Sequence, residues 1–294
     1  MSISIFDAGQ SPIIFNQSNL VASSNNNQYN YILPGGQTFK DAKIAIGNIN
    51  LYYSWYNITS AYGNNVFQFI WPANNTTTTY TVTIPNGNYT IQSLNTFLSQ
   101  YCLNNSLYLT DASGNIHYYI SCQTNSSYYS IEFDFTPIPA SLPSGWSQPA
   151  SWPGYNTLAN KIPQLIVPIA YTPNSFSSLI GYAAGTFPSS NTSTVVVGVQ
   201  STFAPQVSPV KSIIVSASIV TNKLGVNNQV LGAFAYTNTS YGQLINYQPA
   251  FPFYIDIADG SYNNIMLTFY DNNFNPLPIY DSNINVELYV LQKK

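Results

Sequence analysis

Ala42-Lys43-Ile44-Ala45-Ile46-Gly47-Asn48-Ile49-Asn50-Leu51-Tyr52 reads as a β-strand, and its pattern recurs along the chain. Ala42, Ile44 and Ile46 alternate with Lys43 and Ala45, and the apolar run continues through Ile49, Leu51, Tyr52 and Trp55. A period of two places alternate side chains on one face of a strand. Phe67, Phe69 and Trp71 alternate next, then Tyr80, Val82 and Ile84. Shorter strand-like segments follow at Tyr108-Leu109, His117 to Ile120 and Tyr128 to Phe135. The last third adds Thr194 to Val199, Ser212 to Ile219, Val230 to Tyr236, Phe253 to Ile257, Ile265 to Tyr270 and Ile284 to Leu291. Clusters of Asn, Gly and Pro bound each run, as expected between strands.

One helix is predicted. Thr90 is placed to act as its N-cap, Ile91, Leu94, Phe97, Leu98 and Tyr101 follow helical spacing, and Asn104-Asn105 stops it. An amphipathic helix of this kind must lie against a sheet. Residues 136–173 carry Pro137, Pro139, Pro143, Pro149, Pro153, Pro163, Pro168 and Pro173 together with Trp146 and Trp152. Prolines that dense argue against central strands and predict a long loop or the rim of an inserted subdomain. Ser175 to Ile180 is expected to form a helical turn ending at Gly181. Residues 1–36 read as an N-terminal arm: Ile3, Ile5 and Ile13-Ile14-Phe15 are short apolar footholds, and Pro34-Gly35-Gly36 supplies a closing turn. The expectation is an all-β sandwich over residues 37–294, with an insertion within about 86–200.

Composition narrows the function. Charged residues make up 6% of the chain, against about 25% in an average domain. All seven basic residues are lysines, and arginine is absent. A surface short of ions and holding 25 tyrosines resembles the desolvated centre of a protein interface. The plainer reading is a neutral surface that is merely solvated. A net charge of −3 without clustered cations excludes nucleic acid as the main partner, because binding a polyanion displaces counterions with clustered positive charge. Met1 to Gln10 carries neither a positive n-region nor an apolar h-region, so no secretory leader is expected. The longest apolar stretch, Ile162 to Tyr171, is too short to span a membrane and contains two prolines. Cys102 and Cys122 are expected to be buried free thiols, in keeping with assembly in a reducing cytosol.

Candidate chemistry is sparse. His117 is the only histidine, so a catalytic triad would depend on it, and its tyrosine-flanked strand favours a structural role. Glycosidases use two opposed acids. Glu132 and Asp134 share one strand face, opposite Ile131, Phe133 and Phe135, the pattern of a half-buried strand. Asp256 and Asp259 point to opposite faces of an unbroken strand, and Asp259-Gly260 is a turn dipeptide. Asp271-Asn272-Asn273-Phe274-Asn275 begins like a calcium loop, but Pro276 and Ser282 stand where an EF-hand needs Gly and Glu. A hairpin turn is the better reading. Asn-x-Ser/Thr sequons at Asn16, Asn57, Asn74, Asn75, Asn88, Asn104, Asn125, Asn191 and Asn238 are expected to be unmodified. No catalytic, cofactor or metal-binding residue is assigned.

Two stretches carry a family resemblance. Val82-Thr83-Ile84-Pro85-Asn86-Gly87-Asn88-Tyr89-Thr90, running into Leu94 and Leu98, resembles a segment common in penton (minor capsid) proteins of virophages and polinton-like viruses. Ile265 to Asp271, Pro276 to Ile279 and Ile284 to Leu288 are similar to their final strand, turn and strand, and Leu179-Ile180-Gly181-Tyr182 resembles an element between the two. The resemblance implies a single jelly roll forming homopentamers at icosahedral vertices, beside a double jelly-roll major capsid protein. It also implies a virion location, with assembly expected in host cytoplasm; a host receptor is an open further partner that the sequence does not decide. The rival reading is a receptor-attachment or carbohydrate-binding β-sandwich, with Trp146, Trp152 and Trp71 as stacking platforms. Exposure of those rings on one face would favour binding; burial would make them core.

Overall fold

The apolar positions of the Ala42 run change parity between Ile46 and Ile49, and the backbone shows why. In the computed structural model, Ile46 pairs with Leu288 and Asn48 with Glu287, so Gly47 is an extra residue in the ladder. This β-bulge keeps Ala42, Ile44, Ile46, Ile49 and Leu51 on one buried face. A Cβ at Gly47 would sit 2.8 Å from the Tyr289 ring, so the close packing requires glycine there. The structure describes residues 10–15, 20–22, 27–73, 76–155, 160–168, 175–222, 229–237 and 239–292.

The chain opens with β1 (Gln10–Phe15), β2 (Leu20–Ala22), β3 (Gln28–Phe39) and β4 (Ala42–Tyr52). Then come β5 (Val66–Ala73), β6 (Thr76–Thr83), α1 (Ile91–Asn104), β7 (Tyr108–Thr110), β8 (Ile116–Tyr118), β9 (Ile120–Asn125) and β10 (Ser130–Phe135). After β11 (Gln164–Val167), α2 (Phe176–Ile180), β12 (Gly185–Phe187) and β13 (Val197–Gln200), the chain ends with β14 (Ile213–Ala217), β15 (Val230–Phe234), β16 (Leu244–Tyr247), β17 (Ile255–Asp256), β18 (Gly260–Tyr270) and β19 (Asn285–Gln292). The contacts divide these elements into two units, residues 1–55 with 210–294, and residues 56–209.

The first unit is an antiparallel sandwich. One sheet runs β1-β19-β4-β16, with β17 also on β4, and the other runs β15-β14-β18-β3-β2. Setting β2 aside and reading β16 and β17 as one interrupted edge strand gives eight strands. Lettered B to I in chain order, they stand as B-I-D-G against C-H-E-F, the strand order of a jelly roll. Ile213, Val215, Ile265, Leu267 and Phe269 from one sheet bury against Ile44, Ile49, Leu51, Val286 and Leu288 from the other.

The second unit is inserted between strands D and E, β4 and β14. It holds the sheets β12-β11-β5-β6 and β13-β10-β9 and the hairpin β7-β8. Helix α1 buries Ile91, Leu94, Leu98 and Cys102, with Thr90 accepting from the Ser93 amide as its N-cap. The Ile84-to-Thr90 motif forms a corner of this unit. Gly87 and Ile58 exchange both backbone hydrogen bonds. The buried Asn57 donates to the carbonyls of Tyr89 and Val207 and accepts from the Tyr89 amide. Gly181 ends α2 with φ +76°, and a Cβ there would meet the Phe203 carbonyl oxygen at 2.3 Å. The buried Tyr182 hydroxyl accepts from the Phe133 amide and donates to the Val199 carbonyl, joining β10 to β13.

Four expectations differ from the structure. The arm boundary at residue 36 falls inside β3, whose Tyr29 and Leu33 are core residues, and Gln10–Phe15 is an edge strand on β19. Pro34-Gly35-Gly36 does not close a segment: Ile32 pairs with Asn264 and Gln37 with Tyr262, so Leu33 to Gly36 loop out opposite Asn263 alone. The inserted unit spans 56–209 rather than a part of 86–200, because Phe67, Phe69, Trp71 and Val82 bury in its core and not in the jelly roll's. Finally, β11 lies between β12 and β5 in the middle of a sheet; Pro163 and Pro168 stand just outside it, where no ladder hydrogen bond is lost. Ile3, Ile5, Pro173 and the sequons at Asn16, Asn74, Asn75 and Asn238 lie outside the described residues.

Candidate functional site

Among the described residues, those able to do chemistry are scattered, and several hold a turn. His117 Nε2 lies 2.9 Å from Asp111 Oδ2, and its ring stacks on Trp146 at 4.5 Å. Asp111 Oδ1 meanwhile accepts from the amides of Ser113 and Asn115, so the carboxylate closes the β7–β8 turn. The His117 hydrogen bond, followed by those of Asn115, holds the Asp111 carboxyl well below the usual carboxylate range.

Glu132 and Asp134 lie side by side on β10, as their spacing predicts. Asn125 donates to Glu132 and Gln123 to Asp134, both at 2.8 Å. Burial, then the neighbouring Glu132 charge, pushes the Asp134 carboxyl up. Two acids on one strand do not oppose each other across a cleft, as glycoside hydrolysis requires. Asp256 pairs with Lys43 at 3.1 Å on the surface, and Asp259 accepts from the Asp41 amide.

Asp271 is 1% exposed. Its Oδ1 accepts from the amides of Asn273 (2.7 Å) and Asn275 (2.9 Å), and its Oδ2 from the Asn275 side chain at 2.9 Å. Those N–H groups occupy directions a calcium ion would need, so the loop is a hydrogen-bonded turn. Asp111 and Asn115 stand in the same relation, and Asp-x-x-x-Asn is the sequence signal for both. Among the described residues no group of three or more His, Cys, Asp or Glu is placed to hold a metal. Cys102 and Cys122 are buried and unbridged, and burial pushes both thiols up to about 12, so neither is a nucleophile at neutral pH.

The tryptophans divide. Trp71 is fully buried and crosses Trp152 edge-to-face at 5.6 Å. Trp152, 9% exposed, belongs to the inserted core rather than to a surface platform. Trp146 is half-buried against His117. Two of the three rings expected to stack sugars are therefore packed inside.

What the surface offers instead is uncharged apolar area. Phe251 and Phe253 are 85% and 76% exposed, in the segment joining β16 to β17. Tyr128 and Tyr129 project at the turn between β9 and β10. Tyrosine is less uniformly superficial than its abundance implies, since Tyr29, Tyr53, Tyr119 and Tyr182 are core residues. Among the described residues, Lys43–Asp256 and His117–Asp111 are the ion pairs. No helix among them is long and apolar enough to cross a membrane.

No family model matches the chain, and no curated protein matches it. Among solved structures, it is similar to the mavirus penton protein, at 11% identity and a TM-score of 0.45, covering 96% of this chain and 100% of that one. It is also similar to a chain of the Sputnik virophage structure, at 13% identity and a TM-score of 0.37, covering 96% of this chain and 98% of that one.

The three motifs that carry the sequence resemblance prove to be architectural. Ile84 to Thr90 builds the corner before α1, Leu179 to Tyr182 caps α2 and ties two strands, and Ile265 to Leu288 supplies strands H and I with the turn between them. Phe251 and Phe253 are the most exposed large apolar side chains among the described residues; in the sequence, Phe253 reads only as the start of a strand and Phe251 is not singled out. The signal that could have found them is Phe-Pro-Phe itself, since proline interrupts the ladder and turns its neighbours outward.

Proposed function

We propose that this chain is a structural subunit of a virus shell, a penton that closes into a homopentamer at an icosahedral vertex. The observation that carries the reading is a jelly-roll sandwich with almost no ionic surface that nonetheless leaves large apolar side chains uncovered on its edge. A jelly roll by itself serves shells and lectins alike. The penton motifs in the sequence and the burial of Trp71 and Trp152 favour the shell. Side-by-side packing around a fivefold axis uses two different flanks of each subunit, a heterologous contact that closes. The neighbour outside the ring is a double jelly-roll major capsid protein, the location is the virion after assembly in the host cytoplasm, and the role is not enzymatic. Host attachment through the inserted unit is compatible with this role.

The test is the mass of the purified chain by native mass spectrometry and analytical ultracentrifugation. A closed five-membered species at micromolar concentration is expected. Raising salt from about 0.1 M to 1 M, which shortens the screening length from about 10 Å to 3 Å, should leave it intact, because the contacts are not ionic. A chain that stays monomeric at every concentration sinks the reading.

A further inference from the structure

Resting on the vertex reading, we propose that neighbouring copies join through one specific contact. Phe251-Pro252-Phe253 of one subunit seats in a hollow on the opposite flank of the next.

The knob arises because strand G is broken. β16 pairs with the Tyr52 end of β4 and β17 with its Lys43 end. Residues 248–254 leave the sheet between them and carry Phe251 and Phe253 outward from that edge. β15 borders the same flank, since Leu231 and Gly232 line a depression there with Ile46, Tyr247 and Phe253. Phe234 also stacks on Tyr247 at 4.5 Å.

The hollow arises from the opposite irregularity. At the other side of the sandwich, β1 edges one sheet, and β3 with β2 edges the other. The Leu33-to-Gly36 excursion of β3 opens a cavity of about 330 Å³ lined by Ile13, Tyr31, Leu33, Pro34, Phe39 and Val290. Gln37 and Gln292 complete its lining among the described residues, and none of these side chains carries a charge at neutral pH.

The two features suit each other in size and charge. Gln248 to Tyr254 contains no ionic side chain, so seating it in the hollow strands no charge. Two phenylalanines bury about 150–250 Å² each when covered. Together they supply roughly half of the 800 Å² per partner, on the order of what a standard stable interface needs. Aromatic side chains, phenylalanine among them, are enriched in the buried centre of such contacts. Because knob and hollow lie on opposite flanks of one sandwich, they cannot meet within a chain; the contact is head-to-tail, and it makes a ring where the rotation per subunit closes.

The test replaces Phe251 and Gln37, both exposed, with cysteine in one full-length chain and oxidises it. The native thiols are buried. A covalent ladder that stops at the pentamer, read on a denaturing gel, is expected. The control pair Phe251→Cys with Met266→Cys, whose second site is on the solvent face of β18, should link at least tenfold less. Phe251→Asp should lower the ring's apparent affinity at least a hundredfold while leaving the circular dichroism spectrum unchanged. If the parent chain forms rings but the Phe251/Gln37 pair does not link, or links no better than the control, this contact is wrong and the vertex reading stands. Dimers formed by Phe251→Cys alone would mean a twofold contact and overturn the proposal. Links in virions only to a different shell protein would overturn it as well. A parent chain that never forms rings removes the vertex reading itself.

Discussion

The turn at 271–275 in the jelly roll and the turn at 111–115 in the inserted unit are closed by the same chemistry but carry different weight. In each, an aspartate accepts from the amides two and four residues ahead, and from the side chain of the asparagine at the second of these positions. Asp271 does this at 1% exposure in the connection leaving strand H. Asp111 does it on the surface and adds His117 as a partner. A shared local motif sets the hydrogen bonds, whereas burial sets what losing them costs, because an unmet donor away from water recovers nothing from solvent. The same contrast runs through the two units. The jelly roll keeps its polar closure inside a continuous apolar core; the inserted unit places its acids, its histidine and Trp146 around the rim.

The sharpest way to break this comparison is Asp271→Ala. It removes the buried carboxylate that accepts from the amides of Asn273 and Asn275 and from the Asn275 side chain, and is expected to cost about 3 kcal/mol, measured by urea unfolding. A cost no larger than that of Asp111→Ala would show that burial does not set the weight. Next in size is Gly181→Ala, which forces φ +76° on a residue with a Cβ aimed at the Phe203 carbonyl. A loss of roughly 1–3 kcal/mol is expected, with hydrogen exchange accelerating in residues 176–206 of the inserted unit. Equal acceleration throughout the jelly roll would contradict the separateness of the two cores.

The smallest effect concerns pH. The Asp134 carboxyl is raised in the fold, so the folded state binds its proton more tightly than the unfolded state. Its contribution is present below the unfolded value, about 3.9, and is lost as pH rises through the folded value. Asp134→Asn should therefore stabilise the protein at pH 7 by less than about 1 kcal/mol, given its partial exposure, and have no stabilising effect at pH 3. Asp111 is held low, so its contribution is present above the unfolded value and lost on acidification. Asp111→Asn should destabilise at pH 7 and not at low pH. Thermal unfolding at the two pH values reads both signs, and identical signs would refute the assignment.

Much of the secondary structure was legible because its cause is local. The alternation at Ala42 to Leu51, the cap at Thr90, the αL glycine at Gly181 and the turn at Asp271 each depend on residues within a few positions. Strands β12 and β16 were not found: Gly-Thr-Phe and Leu-Ile-Asn-Tyr are too short to show a period, and only their partners β11 and β4 define them. The Glu132/Asp134 face was readable from spacing, whereas the fate of the tryptophans was not. Trp146 and Trp152 look alike in a proline-rich stretch, yet one packs on His117 at the rim and the other on Trp71 in the core.

By itself, then, the amino-acid sequence determined that this is a β protein poor in ions, with a helix after Thr90. Those properties follow from side-chain chemistry and short-range backbone preference. Only the tertiary structure decided that Val66–Thr83 leaves the jelly roll for the inserted unit, and that strand G breaks at Phe251 while β3 loops out at Pro34. Which sheet a strand joins, and which edge is left uncovered, depends on partners far away in the chain, and a period of two is the same for all of them.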